Sequence, residues 1–153
     1  MDQIQNLSYS PELNPYFKSI NTAWVEELFS LEPFDIAQFE RPEEVIINPG
    51  GTIIFAKLGE EIVGTVALYK TAENTFEMIK MGVSPAAQGK GVGMILGKAI
   101  LEKAKEMGAR RVVLYSNTKL KPALHIYQKL GFTSVIPEAG KYCRCDVKME
   151  IEL

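Results

Sequence analysis

Hydrophobic and polar positions change their period several times along this chain, and each change marks an element. Phe17, Ile20, Trp24, Leu28 and Leu31 recur at spacings of three and four, which predicts a helix over Pro11 to Leu31. Pro33 and Pro42 bracket a second, short helix around Phe34 to Glu40, and Asn48-Pro49-Gly50-Gly51 reads as a turn. Two β-rich runs, 52–58 and 62–69, flank Gly59-Glu60-Glu61 and predict a hairpin, with a third strand over Thr75 to Val83. Pro85 and a set of glycines end that pattern. From Val92 to Met107 the apolar residues Val92, Ile95, Leu96, Ala99, Ile100, Ala104 and Met107 form a helical stripe, closed by Gly108. Arg111 to Tyr115 is a short strand, Pro122 and Gly131 bound another helix, and Phe132 to Ile136 is extended again. In the tail, Cys143, Cys145, Val147, Met149, Ile151 and Leu153 alternate with Tyr142, Arg144, Asp146, Lys148 and Glu150, as in a half-buried strand. A short first strand is expected near Ile4 to Ser8. Helices interleaved with strands in this order predict an α/β (α+β) fold, a mixed sheet with helices on both faces, as a single domain over 1–153.

Composition narrows the class. A chain of 153 residues buries about 70% of its unfolded surface and folds without a disulfide or metal. Cys143 and Cys145 point the same way on a strand, which disfavours a mutual disulfide. One histidine leaves too few soft ligands for a structural zinc site, so no metal is expected. Met1 to Ser10 is polar without a basic start, and no apolar run reaches the roughly 20 residues of a membrane span. A cytoplasmic protein with no membrane partner is therefore expected.

The formal net charge of -2 conceals an uneven distribution. Residues 1–87 carry 5 basic and 13 acidic side chains, whereas residues 88–129 carry 9 basic and 2 acidic. The pattern suits solvated faces, or a cationic half that holds an anion beside an acidic half that attracts a cation. Aromatic residues are sparse in the basic segment and no nucleic-acid-binding motif appears, so a nucleic-acid partner is not expected.

Gln88-Gly89-Lys90-Gly91-Val92-Gly93 stands between a strand and a helix. Glycines there permit a tight turn and a close approach to bare backbone, and the helix start adds unpaired N–H groups and a positive dipole end. Together these make an anion cradle. A Walker loop needs Gly-Lys-Ser/Thr, but Gly91 follows Lys90. A dinucleotide fingerprint needs a third glycine where Met94 stands.

The loop does resemble the Gln/Arg-x-x-Gly-x-Gly/Ala pyrophosphate loop of the GNAT N-acetyltransferases, with Gln88, Gly91 and Gly93 in the defining positions. Phe76 to Val83 is similar to the strand that enters that loop, and Ile126-Tyr127-Gln128-Lys129-Leu130-Gly131-Phe132 is similar to the family's Leu-Tyr-x-x-x-Gly-Phe segment. The resemblance implies the acyl-CoA N-acyltransferase fold, with a mostly antiparallel twisted sheet. It implies an acetyl-CoA-dependent N-acyltransferase, with acetyl-CoA (coenzyme A) as acyl donor and an amine of a small molecule or peptide as acceptor, and it allows a homodimer. Met81, Gly82, Val83, Gln88, Gly89, Lys90, Gly91, Val92 and Gly93 become the cofactor-binding candidates. Many members carry Asn seven residues before the tyrosine; this chain has Leu120 there, and Asn117, three residues earlier, is the candidate in its place.

The same resemblance gives two residues catalytic roles. Glu77, eleven residues before Gln88, takes the position of the base glutamate in some members. A backbone N–H from the 81–83 strand end is expected to stabilise the carbonyl oxygen. Tyr127, neutral at pH 7 because a phenol has a pKa of about 10, takes the place of the acid that protonates the leaving thiolate. The first two helices and the last strands are expected to shape the acceptor site. Glu26, Glu27, Glu32 and Asp35 lie there, either guiding a cationic amine or forming a solvated helix face. A second reading is a non-catalytic acetyl-CoA sensor that keeps the loop but transfers nothing.

Overall fold

Alternating and helical patterns resolve into fourteen short segments in the computed structural model, which describes residues 3–29, 31–137 and 145–153. The strands are β1 (Ile4–Ser8), β2 (Thr52–Leu58), β3 (Glu61–Ala72), β4 (Thr75–Val83), β5 (Arg111–Ser116), β6 (Thr133–Val135) and β7 (Val147–Glu152). The helices are α1 (Asn14–Leu28), α2 (Pro33–Glu40), α3 (Val92–Glu106) and α4 (Lys121–Leu130). The strands form one sheet in the order β1-β2-β3-β4-β5-β7-β6. Every neighbouring pair is antiparallel except β4 with β5. The expected mixed, mostly antiparallel sheet is therefore present. No described helix is long and apolar enough to cross a membrane.

Strand alternation splits the core into two layers. Along β2, Ile53 and Phe55 face one side with Phe17 of α1, Phe39 of α2 and Ile46. Ile54 and Ala56 face the other, with Leu96 and Ile100 of α3 and Tyr127 of α4. Helices thus cover both faces. Leu96 is completely buried, and truncating such a leucine to alanine costs about 2–5 kcal/mol.

Several boundaries differ from the sequence reading. The helix expected over 11–31 begins as a 3₁₀ turn, Pro11–Leu13, and becomes α-helical at Asn14. Pro15 is tolerated there because its missing N–H falls in the unpaired first turn. The helix stops at Leu28, where Phe29 turns extended at φ -143 and ψ -179, so Leu31 is not on its stripe. Glu43–Ile47 forms a π-helical turn that hydropathy does not reveal, closed by the Asn48 N–H on the Glu43 carbonyl at 2.7 Å. In the tail, Tyr142, Cys143 and Arg144 lie outside the described residues. Asp146 is not in the strand: its carboxylate accepts from the Thr118 N–H at 2.9 Å and hydroxyl at 3.0 Å, tying two loops together.

Candidate active site

The site begins with a defect in the sheet. β4 and β5 run parallel and pair only through Thr75↔Arg111, Phe76↔Val112 and Glu77↔Val113. β4 continues to Val83 and β5 to Ser116, with no ladder between them. Past Glu77, β4 and β5 therefore form no ladder with each other among the described residues. A slot between two such strands suits an extended, amide-bearing chain that adds itself as a strand.

The far edge of β4 stays bound to β3, but not smoothly. Ile79 pairs with Ala67 and Gly82 with Thr65, so the register shifts across Lys80 and Met81. Lys80 takes a left-handed φ of 53, unusual for a residue with a Cβ. Its ammonium bonds Asp35 of α2, an ion pair whose side chains are 6% and 0% exposed. The Phe34 and Phe39 rings flank the charge at 5.1 and 5.9 Å. Asp35 also accepts from the Glu32 N–H at 2.9 Å, capping α2. Asp35 is thus neither a guide for solvent cations nor part of a solvated face. It locks α2 over the bulge.

At the open end of the fork the chain enters the glycine loop. A 3₁₀ turn, Pro85–Ala87, leads to an extended Gln88, whose side-chain amide donates to the Val83 carbonyl at 3.2 Å and straps the loop to β4. Gly89 and Gly91 follow with φ of 83 and 82, values that favour glycine. A Cβ at either position would meet nothing within 4 Å, so conformation and not crowding restricts both. α3 then starts at Val92 with no side chain capping it, which leaves its first N–H groups available to an anion. Lys90 is exposed on this loop, whereas the Val92 side chain is buried in the core, so Val92 can offer a ligand only its backbone.

Between the loop and α2 lies a cleft of about 350 Å³. Of the sequence candidates, Glu77, Met81, Gly82, Val83, Gln88, Gly93, Asn117 and Tyr127 line it, while Gly89, Lys90, Gly91 and Val92 do not. Glu77 is the last paired residue at the fork and is 3% exposed. Its strand neighbour Ile79 packs on the α1–α2 side, whereas Phe76 and Met78 pack on the α3–α4 side. Glu77 therefore projects to the α1–α2 side. Tyr127 reaches the cleft from α4, on the other side. It is 8% exposed and stacks edge-on against Phe132 at 6.1 Å. Burial pushes its phenol up from 10.0 to about 12, so it holds its proton at neutral pH. The Asn117 carbonyl oxygen on the side chain accepts from the Lys119 N–H at 2.9 Å, shaping the turn that presents Asn117 and Leu120 to the cleft.

Sequence reasoning misses other lining residues. Trp24 reads as one position of a helical stripe, and Phe34 only as the start of a short helix. Gln38 and Ser116 are polar groups at buried positions, and each has a buried side-chain oxygen without a hydrogen-bond partner among the described residues. Cys145 also lines the cleft.

The model of the Acetyltransferase (GNAT) family matches residues 13–132. A mycothiol acetyltransferase of Corynebacterium glutamicum is 37% identical over 81 residues, 53% of this chain and 28% of that protein. The chain thus spans little more than a quarter of that relative's length. A GNAT-family acetyltransferase structure from Staphylococcus aureus superposes with a TM-score of 0.86 at 19% identity, covering 98% of this chain and 99% of the other. A Bacillus subtilis acetyltransferase, solved in complex with CoA, superposes with a TM-score of 0.71 at 23% identity, covering 100% and 99%. With its forked sheet, its glycine loop at the start of α3 and a family match over residues 13–132, this chain belongs to the GNAT acetyltransferase family.

Proposed function

We propose that the chain moves an acetyl group from acetyl-CoA to a primary amine of a small molecule or peptide, by direct attack with both substrates bound. The fork carries this reading: the strands β4 and β5, whose mutual ladder ends at Glu77, lead to an uncapped helix start at one end and a carboxylate at the other. The coenzyme A complex of the Bacillus subtilis fold relative supports it.

Acetyl-coenzyme A supplies the acetyl group as a thioester. Backbone N–H groups of Gly89, Gly91, Val92 and Gly93 face its phosphates, with Lys90 adding positive charge. Gln88 straps the loop to the strand end, and Asn117 faces the pantetheine arm from the opposite wall. The β4 edge from Met81 to Val83 pairs with the arm, and one of its N–H groups stabilises the carbonyl oxygen as negative charge builds there.

An amine attacks only when neutral, and removing a proton of pKa about 10.4 at pH 7 costs roughly 4–5 kcal/mol. Glu77 accepts that proton, directly or through water. The new bond joins the amine nitrogen to the carbonyl carbon, the carbon–sulfur bond breaks, and the thiolate leaves. Tyr127 donates toward the sulfur. With its phenol at about 12 against a thiol of about 8.5, complete transfer is uphill. Tyr127 therefore acts first as a hydrogen-bond donor to the departing thiolate, which becomes the thiol by taking up a proton, through Tyr127 or water, as the acylated nitrogen gives up its second one.

Acetyl-CoA at 100 times its dissociation constant should stabilise the protein by about 2.7 kcal/mol in a melt, and amines should then trigger thiol release. A melt unmoved by acetyl-CoA, with NAD and ATP as controls, would overturn the reading. Stabilisation without amine-dependent thiol release across a broad panel would favour the sensor instead.

A further inference from the structure

Gln38 lies one turn beyond Phe34 on α2, so both side chains leave the same helix face, and both line the cleft. Gln38 is 8% exposed, and its Oε1 is buried with no hydrogen-bond partner among the described residues. An unmatched buried acceptor is unfavourable, so this position favours a bound group that brings an N–H.

The surrounding charge points the same way. Lys80, which also lines the cleft, is paired with Asp35 of α2. Opposite it, α1 contributes Glu27 and the ring of Trp24, and Phe29 follows where the helix ends. Glu77 adds a second carboxylate at the fork. Carboxylates, an amide oxygen and aromatic faces all attract a cation. Among the described residues, the other lysine on the lining is Lys119, which belongs to the β5–α4 loop and already faces the Phe29 ring at 5.5 Å.

We propose that this end of the cleft is a subsite for the distal nitrogen of an α,ω-diamine or polyamine acceptor. Gln38 Oε1 and Glu27 accept its N–H groups, the Phe34 and Trp24 rings face its charge and methylene chain, and the other nitrogen reaches Glu77. An acceptor ending in a carboxylate would set its oxygens against the Gln38 oxygen and Glu27. The inference rests on the acetyl-transfer reading, because the same cleft serves both.

Acceptors of matched reach test it. kcat/KM for diaminopentane should exceed that for aminohexanoate by about tenfold or more, with hexylamine between them, the scale of one charge-assisted hydrogen bond. Gln38→Leu should raise KM for diaminopentane about tenfold and erase its advantage over hexylamine. Gln38→Glu, which can only accept, should keep or increase the diamine preference; a loss there would mean that the amide presents its NH₂ group and would overturn the proposal. A preference for aminohexanoate that disappears in Lys119→Ala would also overturn it. Calorimetry on the coenzyme A-saturated protein reads diaminopentane binding without turnover. Binding that Gln38→Leu abolishes, with no thiol released, would sustain the subsite and contradict only the transfer reading. Circular dichroism and a melt confirm that each variant is folded.

Discussion

The two ends of the cleft are built from different parts of the chain. The loop end is local: six consecutive residues, Gln88 to Gly93, set the turn, and what they offer is mostly backbone. The α2 end is assembled at a distance. Lys80 meets Asp35 across 45 positions, Gln38 joins them from α2, and Trp24 and Tyr115 arrive from two further elements, α1 and β5. A binding surface made of backbone constrains the few residues whose conformation exposes it, so it leaves a motif. A surface made of side chains from separate elements leaves none. The end proposed to hold the acyl donor is therefore readable, and the end proposed to select the acceptor is not.

The largest expected effect falls where the two ends meet. Tyr127→Phe keeps the ring against Phe132 and removes only the donor. It should lower kcat by roughly 10²–10⁴-fold with little change in coenzyme A affinity. Full turnover in this variant, with chemistry rate-limiting, would remove Tyr127 from the mechanism. Glu77→Gln should behave differently: its loss at pH 7 should shrink at pH 9–10, where more of the amine is already neutral. A pH-independent loss would make Glu77 structural or positioning.

The α2 end should be sensitive in stability. Lys80→Met removes the ammonium that pairs with the buried Asp35 and should cost about 3–5 kcal/mol in a urea titration. Adding Asp35→Asn should recover part of that loss. If Lys80→Met is as stable as the native protein, the ion pair does not lock α2.

Titration sharpens the comparison further. In Tyr127 the folded pKa is raised to about 12 from 10.0. Between these values the native state holds a proton that the unfolded state has lost, so stability falls as pH rises from 10 to 12, by about 2–3 kcal/mol. Tyr9, raised to about 12 by burial and by its hydrogen bond to Glu43, adds a decline over the same window. The difference between the native protein and Tyr127→Phe isolates the Tyr127 share. Equal slopes for the two proteins would contradict the assigned burial.

The loop end should give the smallest effect and the most selective one. Gly91→Val forces a β-branched residue to a φ of 82 and should weaken coenzyme A binding by more than tenfold, about 1.4 kcal/mol. Unchanged affinity in a folded variant would mean that the loop does not hold the phosphates.

Much of the fold is legible because burial repeats. The stripe of Val92, Leu96, Ile100 and Ala104 marks α3, and the alternation of Ile53 to Ala56 marks a strand covered on both faces. The π turn at Glu43–Ile47 escapes notice because its i to i+5 bonding has no hydrophobic period. Lys80 carries no signal of its own in the strand pattern, and it is at the register shift against β3 that it meets Asp35. Asp35 reads as one of several surface acids for the same reason: its partner lies on another element. Glu77 and Tyr127 are single polar positions inside apolar patterns, and it is the family resemblance, not the pattern, that singles them out.

Mass spectrometry of an amine panel incubated with acetyl-CoA and the protein tests the central claim most directly. The account predicts a gain of about 42 daltons on a primary amine, one acetyl group replacing one N–H, strongest for diamines and reduced by 10²-fold or more in Tyr127→Phe. No gain on any amine, from a protein that the same acetyl-CoA demonstrably stabilises, would contradict it.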